Sequence, residues 1–173
     1  MKLIIINGPC GIGKSTVAKR LHDALALSFY LDGDAQSRYI SHYKEHDIER
    51  REITRAVCAG IIEACFKVGH DVIVDKMMFD QSVLNAYYQI AQKYQADVSE
   101  FILWAPKDLI MSRAHARGFP VDNLLTPEKC ERFWHEIDKL KGQRPLAQVI
   151  DVTNLGENDV FNKLIGIIEK ENP

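Results

Sequence analysis

A chain of 173 residues has room for one domain of ordinary size and can bury roughly two thirds of its unfolded surface. Its 22 basic and 24 acidic side chains leave a formal charge of -2, which excludes a strong overall field for gathering nucleic acid or an anionic membrane. No stretch reaches the roughly 20 apolar residues of a membrane helix. The four cysteines, Cys10, Cys58, Cys65 and Cys130, show neither CxxC pairing nor zinc-ligand spacing, so reduced thiols are expected.

In chain order, the apolar run LIIIN at 3–7 is too short for a secretion-signal core and leads into a Gly-rich turn, so it reads as a buried strand. GPCGIGKST follows at 8–16, opening a helix expected over 14–26. The second strand is LSFYLD, 27–32; helices over 35–45 and 48–69, the latter stopped by Gly69, lead to the third strand, DVIVD, 71–75. A helix over 80–94, the strand EFILWA at 100–105 and a helix over 107–116 come next. The polar connection ARGFPVDNLLT, 116–126, contains Gly118 and Pro120 and reads as a short lid. Thr126 as N-cap and Pro127 in the first turn open a helix over 127–141, and the strand QVIDV at 148–152 precedes a last helix over 157–170. Short Val/Ile/Leu-rich strands alternating with helices describe an α/β fold of three layers, a five-stranded parallel sheet covered on both faces. No repeat or linker divides the chain, so 1–173 reads as one domain.

Gly8, Gly13, Lys14 and Ser15 satisfy GxxxxGK[ST] between a strand and a helix, the signature of a P-loop. The backbone from Gly8 through Cys10, Gly11, Ile12 and Gly13 turns N–H groups toward phosphate oxygens, and the helix adds its positive dipole end. Lys14 is expected to bridge the β- and γ-phosphates and Ser15 to offer its hydroxyl to Mg²⁺, with Thr16 near the α-phosphate. Asp32 and Asp34, two apart at the carboxyl end of the second strand, project to one side, where one suits the Mg²⁺ shell and the other an acceptor hydroxyl. Turn chemistry with Asp34 capping the next helix is the competing reading. Asp75, rather than Asp71, ends the third strand at the ligand edge and is the second metal candidate; its competing role is a turn with Lys76. Arg113 and Arg117 share a helix face before the lid and suit the charge of a transferring phosphoryl group; the competing reading is basic residues complementing the dipole of the last helical turn. Arg38, one turn after Asp34, suits an anionic or polyhydroxyl acceptor, with a solvated surface arginine as the competing reading. His42 and His46 read as a solvated helix face, and Glu49-Arg50-Arg51-Glu52 as surface pairing.

Together, GPCGIGKST, LDGD, the Asp75 strand end and the Arg pair before a lid resemble the small P-loop kinases of the nucleoside-monophosphate-kinase-like group, nearest the shikimate, gluconate and adenylylsulfate kinase branch. The resemblance implies a sheet of order 2-3-1-4-5, ATP with Mg²⁺ as donor and a small hydroxylated acceptor; the balanced charge and the lack of a membrane-length apolar run lead to the expectation of a cytoplasmic protein with no nucleic-acid or membrane partner. The resemblance also implies that Asp32 lies near the metal, that Asp34 binds or deprotonates the acceptor, and that Arg117 is the lid arginine. DKMMFDQS at 75–82 replaces the Gly-rich turn of shikimate kinases, and the lid lacks the adenylate-kinase insertion. A nucleoside or 5′-hydroxyl polynucleotide kinase, and an ATP-binding regulatory protein or slow NTPase, are the alternatives; neither NKxD nor LSGGQ is present.

Overall fold

Alternation along the first strand decides the architecture: Leu3 and Ile5 enter one apolar core, Ile4 and Ile6 the other, and all four are fully buried. A strand buried on both faces belongs inside a parallel sheet. The computed structural model describes residues 1–119 and 125–170. Five strands, β1 (Lys2–Asn7), β2 (Phe29–Asp32), β3 (Val72–Asp75), β4 (Asp97–Trp104) and β5 (Gln148–Asp151), form one parallel sheet in the order β2-β3-β1-β4-β5.

One face is covered by α2 (Asp47–Lys67), α3 (Gln81–Lys93) and the later turns of α5 (Pro127–Lys141). The buried residues of α2 are Thr54, Cys58, Ile62 and Phe66, spaced by four so that they form one stripe. The other face packs α1 (Lys14–Ala24), α4 (Lys107–Arg117) and α6 (Glu157–Lys170) through Leu21, Ile110 and Leu164. Register places Asp32 beside Asp75 and Asp75 beside Ile6, so the carboxyl ends of β2, β3 and β1 share an edge.

The helix expected over 35–45 is replaced by a 3-10 turn at Ala35–Tyr39, and α2 begins only at Asp47. The Asp32 carboxylate takes the N–H groups of Asp34 and Ala35 into a tight turn, no residue of Ala35–Tyr39 is buried, and His42 sits at a left-handed φ of 53°. His42 and His46 therefore share no helix face; His46 is the N-cap position of α2. β4 starts three residues earlier than its apolar run because Asp97 to Ser99 pair with Lys2 to Ile4. Gly69, at φ 83°, and Thr126, whose hydroxyl accepts from the Lys129 N–H, end and begin their helices as expected. Of the segment 116–126, residues 120–124 lie outside the described residues. Among the described residues no helix is long and apolar enough to cross a membrane.

A buried ion pair ties the segment before β5 to the sheet. Glu100, with its side chain 0% exposed, receives the Arg144 guanidinium at 2.6 Å and the Tyr88 hydroxyl at 2.9 Å. Removing one partner strands the other charge, so Arg144→Ala should cost about 3–5 kcal/mol. The denaturant midpoint should fall accordingly with the slope of unfolding unchanged.

Candidate active site

The cradle begins where β1 ends. Gly8 has φ 146°, and a Cβ there would stand 2.6 Å from the Leu103 carbonyl oxygen, so no larger residue fits without moving the neighbouring strand. Asn7, fully buried, accepts on Oδ1 from the N–H groups of Gly8 (2.8 Å) and Met78 (2.9 Å), and its Nδ2 donates to the Met78 carbonyl at 2.6 Å. The first residue of the phosphate loop and the loop after β3 are thereby one unit.

At the end of the loop, Lys14 donates to the Pro9 carbonyl at 3.0 Å. Burial pushes its pKa down; Asp34, Asp75 and, less, Asp32 pull it up, and Arg117 pushes it down. The fields of all four sequence-derived partners thus meet at one ammonium. Asp75 is buried and accepts the Tyr30 hydroxyl at 2.8 Å; the Ser15 hydroxyl acts on the same phenol, whose pKa burial and Asp75 push well up. Tyr30 therefore stands between Ser15 and Asp75, two of the three residues that sequence assigned to metal, a role that nothing in its local sequence signals.

The competing reading of Asp75, a turn with Lys76, is not made by their side chains. Lys76 instead crosses the LDGD turn and donates to the Gly33 carbonyl (3.0 Å) and the Asp34 carboxylate (3.1 Å). A Cβ on Gly33 would lie 2.7 Å from the Lys76 Cδ, which is why glycine separates the two aspartates. Asp32, not Asp34, closes the turn, leaving the Asp34 carboxylate exposed at the sheet edge beside Lys76. Among the described residues no three His, Cys, Asp or Glu side chains cluster to hold a metal unaided. A hydroxyl and one or two carboxylates beside a phosphate cradle instead fit Mg²⁺, a hard cation that keeps waters and takes substrate oxygens.

Two cavities flank this centre. One, of about 330 Å³, is lined by Gly11, Gly13, Thr16, Arg113, Val152 and Leu155, which puts Arg113 beside the cradle. The other, of about 200 Å³, is lined by Asp34 and Lys76 together with Arg50, Arg51, Thr54 and Arg55 of α2. Arg38 is exposed on the 3-10 turn and lines neither, although Ser37 of the same turn borders the second. Arg50 and Arg51 do pair with Asp47 as surface charges would, yet they also face this cavity. The available signal is the α2 stripe: stepping back four residues from Thr54 leads to Arg50.

The expectation of four reduced thiols is corrected. Cys10, inside the cradle, is joined in a disulfide to Cys130 of α5, with Cα atoms 6.2 Å apart and 120 residues of separation. Both are buried in a cluster with Ala114 of α4, so Cys10 can serve the cradle through its backbone and not its sulfur. Spacing rules register only near neighbours, and this pair is made by α4 and α5 packing against the loop. Cys58 and Cys65 are free, and burial pushes both thiols up. Alkylation of the denatured chain without reductant should label Cys58 and Cys65 and leave Cys10 and Cys130 in one cross-linked peptide pair on mass mapping.

A family profile described as AAA domain matches residues 3–133. Among solved structures, the chain is similar to a gluconokinase from Sinorhizobium meliloti (TM-score 0.71, 14% identity, 99% of this chain and 98% of that one). It is also similar to the tunicamycin resistance protein of Deinococcus radiodurans (TM-score 0.68, 21% identity, 97% and 95%). At these identities the likeness is one of fold. The cytidylate kinase of Thermosipho melanesiensis is 50% identical over 50 residues, 28% of this chain and 23% of that protein's length.

Proposed function

The chain belongs to the AAA domain family, matched across residues 3–133, and from that premise we propose that it is an ATP-dependent kinase moving the γ-phosphoryl group of ATP·Mg²⁺ to a hydroxyl of a small molecule. The observation that carries this reading is the convergence on Lys14 of Asp34, Asp75, Arg117 and Asp32, with Asp34 also lining a separate cavity beside the cradle. A donor site and an acceptor site thus share one charged centre. The folds shared with gluconokinase and other small kinases support phosphotransfer as the chemistry.

In this reading the backbone from Gly8 to Thr16 cradles the triphosphate, Arg113 approaches it from the donor side, and Ser15, Asp32 and Asp75 hold Mg²⁺. When bound, the ion neutralises charge on the β- and γ-phosphate oxygens. Lys14 and Arg117 meet the charge that spreads over the transferring oxygens, where prepositioned cations act without reorganising. A carboxylate is far too weak a base to strip a proton from a resting alcohol. Asp34, its carboxylate direction set by Lys76, orients the hydroxyl and accepts its proton late, as a loose transition state permits.

Incubation of the protein with a metabolite pool and γ-labelled ATP should yield a labelled phosphomonoester, and ATP binding with no labelled product would favour the regulatory or slow-NTPase alternative. Lys14→Ala should abolish transfer, and Asp34→Asn should lower kcat by about 10²- to 10⁴-fold with nucleotide affinity kept. The local identity to cytidylate kinase favours a second reading, transfer to the phosphate of a nucleoside monophosphate. An acid-labile phosphoanhydride in place of the phosphomonoester would select it.

Tyr30 enters as a positioning residue. Tyr30→Phe removes the hydroxyl that holds Asp75, so the Mg²⁺ concentration for half-maximal rate should rise about tenfold or more, with the saturated rate changed less. An unchanged Mg²⁺ dependence would remove Asp75 from the metal site.

A further inference from the structure

The acceptor-side cavity has a chemical character that goes further than the kinase reading on which it rests. On α2 the buried stripe of Thr54, Cys58, Ile62 and Phe66 emerges, one turn earlier, as Arg50. Thr54 is 5% exposed, yet its hydroxyl has no hydrogen-bond partner among the described residues; the Nε of Arg50 is likewise buried and unpartnered. Both residues line the cavity. Buried polar groups are ordinarily satisfied, so two that are not, four residues apart on one helix face and bordering one cavity, mark the place of a missing acceptor group.

The charge balance says which kind. The lining carries four cations, Arg50, Arg51, Arg55 and Lys76, against two carboxylates, Asp34 and Asp80. Arg55 is taken by Asp80 at 2.6 Å and Lys76 by Asp34 at 3.1 Å. The excess therefore sits with Arg50 and Arg51, which share Asp47, a residue outside the cavity lining. The opposite wall is apolar: Met78, Val83 and the Phe79 ring, stacked on Phe133 with centroids 5.6 Å apart.

We infer that the acceptor is a small anionic molecule whose carboxylate or phosphate is received by Arg50 and Thr54, whose apolar or flat part lies along Phe79 and Met78, and whose reacting group meets Asp34. A guanidinium with a free Nε–H matches a carboxylate or phosphate oxygen, whereas a neutral polyol would leave the excess charge unanswered. The cavity of about 200 Å³ and the formal charge of -2 favour a small molecule over a polymer.

The test measures binding and turnover separately on the full chain, with probe pairs that differ chiefly in the anion: cytidine 5′-monophosphate against cytidine, and gluconate against sorbitol. Calorimetric titration in the presence of a non-hydrolysable ATP analogue should show at least one anionic member binding tenfold or more tightly than its neutral counterpart. Arg50→Ala and Thr54→Val should each weaken that member about 10-fold or more, with affinity for the ATP analogue and the unfolding midpoint kept. Arg50→Lys, which keeps the charge and loses the Nε–H, should fall between. In turnover with γ-labelled ATP the same variants should raise KM and spare kcat. Equal binding of charged and neutral partners, or a preference that Arg50→Ala leaves untouched, overturns the inference, as does tighter binding of a 5′-hydroxyl oligonucleotide than of any small anion. An anion preference without label transfer would keep the site and sink the kinase reading; label transfer to neutral acceptors alone would do the reverse.

Discussion

Asn7 closes β1 with its amide sealed from solvent, holding the Gly8 N–H on one side and both backbone groups of Met78 on the other. Each of those groups, left unpaired in the interior, would cost about 1–3 kcal/mol, so the two loops cannot shift apart independently. The donor cradle starts at Gly8, and the acceptor-side cavity is walled by Met78. One side chain therefore fixes the cradle against that cavity, and in the kinase reading proposed above this sets the distance between the two substrates. Gly8, pressed against the Leu103 carbonyl, fixes the same point from the β4 side.

Around that fixed point the charges are arranged in alternation. Lys14 is held in a desolvated position that disfavours its charge, and the aspartates at the sheet edge oppose that effect. Asp75 is shielded by Tyr30, Asp34 by Lys76, and Asp32 spends one oxygen on its own turn. Each carboxylate thus has an environment that separates its task from its neighbours': one buried near the cradle, one at the cavity, one between them. Parallel register makes this possible, since it sets Asp32 and Asp75 side by side with the end of β1.

Legibility in the sequence followed the range of the physics involved. All five strands and six of the seven expected helices were readable because apolar periodicity is a local record of burial. The seventh, over 35–45, failed because a side chain two residues before Asp34 captured the backbone N–H groups that would have started it. Arg38 stands in solvent, as a surface arginine would, while Arg50 and Arg51, which pair with Asp47 as a surface cluster should, border a cavity. Whether a charged residue at the end of a buried stripe faces water or a site depends on what packs opposite, and that is supplied by β3, α3 and α5.

By itself the sequence determined the phosphate loop, since eight consecutive residues between a strand and a helix hold every group that the loop needs. It also determined the layer order, because helices and strands of matched period have few ways to cover each other. Only the tertiary structure decided the company those residues keep: Cys10 with Cys130 across 120 positions, Tyr30 with Asp75, Lys76 with Asp34, and Arg50 with an unpartnered Thr54 at the mouth of a cavity. The physical reason is range. Backbone conformation is set by neighbours in sequence, whereas desolvation and charge pairing are set by neighbours in space, and in a parallel sheet those come from strands and helices dozens of residues away.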